Sequence, residues 1–204
     1  MTDKAPPTLF MIAGPNGAGK SSLYEIFIRH KIAAPFINAD EIQKNELADT
    51  RPEAAYEAAK IASDRRNQFI SSKKSFVAES VFSHPSKLEL ISNARNAGFL
   101  IVVYHVSVID SDLSVARVKG RVKQGGHDVP EEKIKARYDR NGAIIRTAVL
   151  KADRAHVYDN SRLGKPPRRI LSFTNGSIDH VNKPLPQWVV DTYLDELKAI
   201  ARKR

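Results

Sequence analysis

The sequence has no cysteine among its 204 residues, which excludes disulfide frameworks, thiolate metal sites and cysteine nucleophiles. Long apolar runs are also missing. The longest, FLIVVYHV at Phe99–Val106, falls far short of the about 18 residues that a bilayer-spanning helix needs. The opening MTDKAPP has no apolar signal core, so no secretion and no membrane attachment are expected, and a cytoplasmic location is. Aromatic residues reach only 7%, and no basic stripe is interleaved with them. No internal repeat, low-complexity tract or Gly/Ser/Pro-rich linker divides the chain, so one domain over residues 1–204 is expected.

What remains is an ordinary globular balance, 42% hydrophobic and 27% charged, with a net charge of +10. A positive field attracts phosphorylated ligands, from nucleotides to nucleic acids. The basic residues do not form one block, however, and a solvated surface explains the charge as well.

Apolar strands alternate with helices of about ten to twenty residues. TLFMIA (Thr8–Ala13) reads as the first strand, followed by a glycine-rich loop and a helix from about Lys20 to His30. PFIN (Pro35–Asn38) and SFVAES (Ser75–Ser80) read as further strands, and FLIVVYHVSV (Phe99–Val108) as the strongest. Its continuous apolar character suits a parallel sheet covered on both faces. Thr50-Arg51-Pro52-Glu53 combines a capping-box pattern with a first-turn proline and opens a helix through to Ile70. SHPSKLELISNARNAG reads as a helix from near Pro85 to Gly98. Two charged helices follow, roughly Asp112–Lys123 and Pro130–Lys151. RAHVYDNS reads as a strand, RRILSFTNGSIDHVN as a hairpin turning at Asn175-Gly176, and PQWVVDTYLDELKAIARKR as a closing amphipathic helix. The pattern predicts an α/β fold: a parallel sheet flanked by helices, with a helical lid.

Gly14-Pro15-Asn16-Gly17-Ala18-Gly19-Lys20-Ser21-Ser22 satisfies the phosphate-binding P-loop (Walker A) pattern, and it lies between a strand and a helix as the mechanism requires. Its glycines let successive N–H groups turn inward around a phosphate chain, and the helix that follows adds its positive end. Lys20 should bridge the terminal phosphates and the Ser21 hydroxyl should hold Mg²⁺. ATP and Mg²⁺ are therefore the expected cofactors.

Acids at strand ends narrow the chemistry, because ligands of an open parallel sheet bind beyond its carboxyl ends. Asp40 follows PFINA and Glu79 ends SFVAES. A kinase needs a carboxylate to orient the acceptor hydroxyl and take its proton. Asp40 is the candidate base, although Asp40-x-x-Gln43 is also a capping box. Glu79 belongs at the acceptor or against a metal-bound water, since a carboxylate ending a buried strand must find a polar partner. Asp110 can be read either as a Walker B acid or as a helix cap.

Between Arg117 and Arg140 the chain carries a net +4. Arg117 and Arg121 share one helix face at i, i+4, and Arg137 and Arg140 another at i, i+3. Between these helices, GGHDVPEE begins with two glycines that can hinge. A lid of about residues 112–151 could bring Arg121 and Arg137 onto a transferring phosphoryl group. The same arginines could equally line a solvated face, and His127 could meet a phosphate or cap the loop.

Taken in order, GPNGAGKSS, FINADEI, FVAESVFSHPSKLELI, RVKGRVKQGGHDVPEEKIKARYDR and VYDNS resemble the zeta-toxin-like family of P-loop kinases, over roughly residues 8–161. The resemblance implies ATP on Lys20 and Ser21, Asp40 as base, Glu79 at the acceptor, and Arg121 and Arg137 as lid arginines. It also places Asp159 and Asn160 where adenine-side contacts fall, although an Asp-Asn-Ser turn serves as well. It implies a small-molecule phosphoryl acceptor, such as the UDP-N-acetylglucosamine that well-known members phosphorylate, and an antitoxin partner. The chain departs from the toxin pattern after Glu79, where Ser80-Val81-Phe82-Ser83 holds no arginine or threonine. The competing reading, a nucleic-acid-directed kinase or binder, rests on net charge alone.

Overall fold

The structure is a computed structural model that describes residues 5–49, 51–123 and 128–202. The Thr50 cap, the paired glycines Gly125-Gly126 and His127 all lie outside the described residues.

Among the described residues, seven strands form one sheet: β1 (Thr8–Ala13), β2 (Phe36–Ile37), β3 (Phe76–Ser80), β4 (Leu100–Ser107), β5 (Arg154–Asp159), β6 (Arg168–Thr174) and β7 (Ser177–Val181). Their order is β2-β3-β1-β4-β5-β6-β7. The first five run parallel, and the closing hairpin makes the sheet mixed by adding two antiparallel strands. Asn175 and Gly176 turn that hairpin at φ 48° and 73°, the left-handed pair that a tight primed turn needs.

The helices are α1 (Lys20–Leu23, continued by a π-helical turn Tyr24–Ile28), α2 (Ala39–Ile42, continued by Gln43–Leu47), α3 (Pro52–Ser71), α4 (Lys87–Asn96), α5 (Ser111–Val122), α6 (Glu131–Lys151), α7 (Gln187–Thr192) and α8 (Leu194–Ala201). α3 starts at Pro52, with Arg51 in the cap position. One sheet face packs against α3, α4, α6 and α7 in the main core, which includes Leu9, Phe76, Ile101, Ile145 and Trp188. The other face buries Ile12, Val77, Val106 and Tyr158 beneath Leu23 and Ile28. Having helices on both sides explains why β4 reads as a continuous apolar run.

Two departures from the sequence reading have clear causes. The closing helix breaks at Tyr193 (φ −117°, ψ 27°), because that fully buried side chain meets Nδ1 of the buried His105 at 2.7 Å. The expected lid also divides into a tip and a root. Val115, Val118 and Ile134 form a small apolar cluster of their own between α5 and the start of α6. Ile145, Ala148 and Val149 of α6 belong instead to the main core, and Arg146 pairs with Asp195 and Glu196 of α8.

Candidate active site

The P-loop joins the end of β1 to α1 at the carboxyl edge of the sheet, and its glycines are required there by neighbouring atoms. A Cβ on Gly14 would lie 2.0 Å from the Val106 carbonyl oxygen, and one on Gly17 2.5 Å from that of Ser114. Gly19, at φ 88°, would thrust a Cβ to 2.2 Å from Asn160 Nδ2. Asn160 in turn donates to the Ala18 carbonyl at 2.9 Å, so the loop after β5 braces the phosphate loop. Lys20 curls back and donates to the Pro15 carbonyl at 3.1 Å.

A cleft of about 390 Å³ opens over this loop. Asn16, Gly17, Gly19, Lys20, Ser21, Ser22, Asp40 and Glu79 all line it, as do Arg117 and Arg121 of α5. The structure therefore brings together the lysine, the serine hydroxyl, both strand-end acids and one predicted lid arginine. Arg137 is not among the residues lining the cleft; its guanidinium donates at 3.3 Å to Oδ1 of Asn16, which does line it. Helical spacing put Arg137 on a shared face with Arg140 but could not say which neighbour that face meets.

Asp40 is not the helix cap that its capping-box pattern allowed. Asn38, at extended φ/ψ, caps α2 by accepting the Asp40 N–H at 2.7 Å, which leaves the Asp40 carboxylate to the cleft. The same Asn38 donates from Nδ2 to Glu79 Oε2 at 3.0 Å. Glu79 Oε1 stands 3.7 Å from Lys20 Nζ, with both side chains largely buried. Burial pushes the Glu79 carboxyl above its usual range; the Lys20 charge opposes that shift and the Asp40 charge adds to it. Burial also lowers the Arg117 guanidinium, against the attraction of Asp159.

Asp110 caps α5 by accepting the Leu113 N–H at 2.8 Å, the second of its two readings. The Asp159 carboxylate accepts from Trp188 Nε1 at 2.9 Å and from the Ser161 hydroxyl at 2.5 Å. It ties α7 to the sheet and is not among the residues lining the cleft. Sequence reasoning missed Arg162 and Lys165, which line the cleft from the β5–β6 loop beside Asn160. The signal was two basic residues flanking Gly164 directly behind the Asp-Asn-Ser strand end.

The largely parallel sheet, the P-loop and the acids that share one cleft with it define the class: an α/β protein of the P-loop kind. The Zeta toxin family model matches residues 1–164, and the chain belongs to that family. An uncharacterized protein of Haemophilus influenzae is 28% identical over 125 residues, covering 61% of this chain and 88% of that protein. Among solved structures, AvrRxo1-ORF1 in complex with ORF2 and ATP superposes with a TM-score of 0.68 at 15% identity, covering 98% of this chain and 64% of that one. The chain thus spans less than two thirds of AvrRxo1-ORF1. The PezAT chromosomal toxin-antitoxin system of Streptococcus pneumoniae gives 0.61 at 13% identity, covering 98% of this chain and 86% of that one. At these identities the two structures show the shared fold.

Proposed function

We propose that the protein is an ATP-dependent kinase that moves the γ-phosphoryl group of ATP to a hydroxyl of a small molecule. The observation that carries this reading is that Asp40 and Glu79 share one cleft with Lys20, Ser21, Arg117 and Arg121. The P-loop main chain and Lys20 bind the donor phosphates. Ser21 would hold Mg²⁺, a hard cation suited to its hydroxyl and, through water, to the nearby carboxylates; bound there, it would neutralise charge on the phosphates. The acceptor hydroxyl lies beside Asp40. As its oxygen bonds to Pγ, its proton passes to the Asp40 carboxylate, and the bond from Pγ to the bridging oxygen breaks to release ADP. Arg117 and Arg121 stabilise the charge that develops on the transferring group.

UDP-N-acetylglucosamine and related nucleotide-sugars are the first acceptors to test, on the strength of the family membership. An inhibitory partner protein follows from the same likeness, since PezAT is a toxin-antitoxin system. The deciding assay incubates the protein with γ-labelled ATP, Mg²⁺ and a panel of nucleotide-sugars, nucleosides and hydroxylated antibiotics. Label should appear on one acceptor class. Asp40→Asn should lower that transfer by about 10²- to 10⁴-fold, the usual contribution of a general base, while ATP binding stays within about twofold. Undiminished transfer by that variant would remove Asp40 as the base.

A further inference from the structure

Helix capping alone does not explain the asparagine at position 38. Asn, Asp and Ser cap helices about equally well, and each could accept the Asp40 N–H that Asn38 Oδ1 accepts at 2.7 Å. Asp offers no donor and Ser puts its donor and acceptor on one oxygen, whereas an amide accepts at one atom and donates from another, as Asn38 Nδ2 does to Glu79 Oε2 at 3.0 Å. Asn38 is itself only 7% exposed, so this link between the β2–α2 turn and the end of β3 is shielded from water. Its two polar side-chain atoms are thus committed, one to the Asp40 main chain and one to the Glu79 carboxylate.

The consequence reaches Lys20. A charge-assisted N–H···O contact settles at about 2.7–2.9 Å when nothing prevents it, yet Lys20 Nζ stays 3.7 Å from Glu79 Oε1 and bonds the Pro15 carbonyl instead. With one oxygen tethered to Asn38, the carboxylate does not close onto the lysine. We infer that Asn38 is a positioning residue that holds Glu79 back from Lys20 and so keeps the P-loop lysine available to the donor phosphates. The inference rests on the proposed reading of the cleft as a nucleotide-triphosphate site. Without the tether, Glu79 would compete with the nucleotide for Lys20.

A double-mutant cycle tests this, with binding of Mg²⁺ and ATP bearing an N-methylanthraniloyl fluorophore as the readout. Asn38→Asp keeps a capping oxygen, removes the donor and adds charge; Asn38→Ser keeps a capping oxygen and draws its one O–H donor back by a bond from Glu79. Each should weaken binding about tenfold, the scale of a lost hydrogen bond to a charged group, with circular dichroism and melting temperature essentially unchanged. Glu79→Gln removes the competing charge, so Asn38→Ser placed on that background should change binding by less than about twofold. A merely structural cap would give the same loss on both backgrounds, and that additivity would overturn the inference. So would native affinity in Asn38→Ser. Failure of the wild-type protein to bind the probe would instead remove the nucleotide reading, and the inference with it.

Discussion

Replacing Gly19 by alanine should damage the P-loop in a way that depends on one distant side chain. At φ 88°, an alanine pays about 1–2 kcal/mol for the left-handed backbone alone. Its Cβ would also lie 2.2 Å from Asn160 Nδ2, so the amide must withdraw from the Ala18 carbonyl that it now holds at 2.9 Å. Asn160 is 9% exposed, and leaving a buried group of that kind unpaired costs about 1–3 kcal/mol. Gly19→Ala should therefore cost about 2–5 kcal/mol, a large share of the about 5–15 kcal/mol that holds a domain folded. Asn160→Ala should cost about 1–3 kcal/mol by the loss of the same bond. In the double variant the obstacle is already gone, so alanine at position 19 should add only the backbone strain. The two changes should then be non-additive by about 1–3 kcal/mol. Urea denaturation measures this, with the single tryptophan, the buried Trp188, as an intrinsic probe. Additivity within about 0.5 kcal/mol would refute the steric account.

Two further outcomes concern buried polar groups. Burial pushes the His105 imidazole down to about 3 from 6.5, so its folded-state value is depressed and the unfolded chain takes up the proton first. Stability should fall as pH drops from about 6.5 toward 3, with a slope approaching about 1.4 kcal/mol per pH unit from this group. His105→Asn should lack that component, which denaturation midpoints of both proteins between pH 7 and 4 would show; parallel curves would refute it. The Ser114 hydroxyl is buried without a hydrogen-bond partner among the described residues. Ser114→Ala should accordingly be neutral or stabilising by about 1 kcal/mol, and a loss larger than that in urea denaturation would show that the hydroxyl has a partner.

The phosphate loop was legible in the sequence because its glycine, lysine and serine spacing falls between an apolar strand and a helix, although the atoms that exclude a Cβ there belong to distant segments. The Asn175-Gly176 turn was legible because its left-handed pair answers a local backbone demand, and β4 through its unbroken apolar run. Asp40 was only half legible. Its capping-box spacing fits a cap as well as a base, and the choice depended on which residue of Asn38-Ala39-Asp40 takes the extended conformation before α2. Contacts between distant segments were hidden. Nothing in the amphipathic pattern of Gln187–Ala201 marks a break at Tyr193, because its cause lies 88 residues away at His105. Nor does the basic character of the lid helices separate Arg121, which lines the cleft, from Arg137, which meets Asn16. Arg162 and Lys165 reach the cleft only because the β5–β6 loop leaves the sheet beside the P-loop.

The division of α6 into an anchored root and a separate tip makes it a lever. From Ile145, packed in the main core, to Arg137 at the P-loop is eight residues, or about 12 Å at 1.5 Å per residue. A tilt of about 10° around that fulcrum sweeps Arg137 through about 2 Å, more than its contact with Asn16 tolerates. Arg146, clamped to Asp195 and Glu196 one residue beyond Ile145, is the bearing on which such a lever would turn. The closing helices, remote in sequence from the P-loop, thus set the stiffness with which an arginine is presented to it.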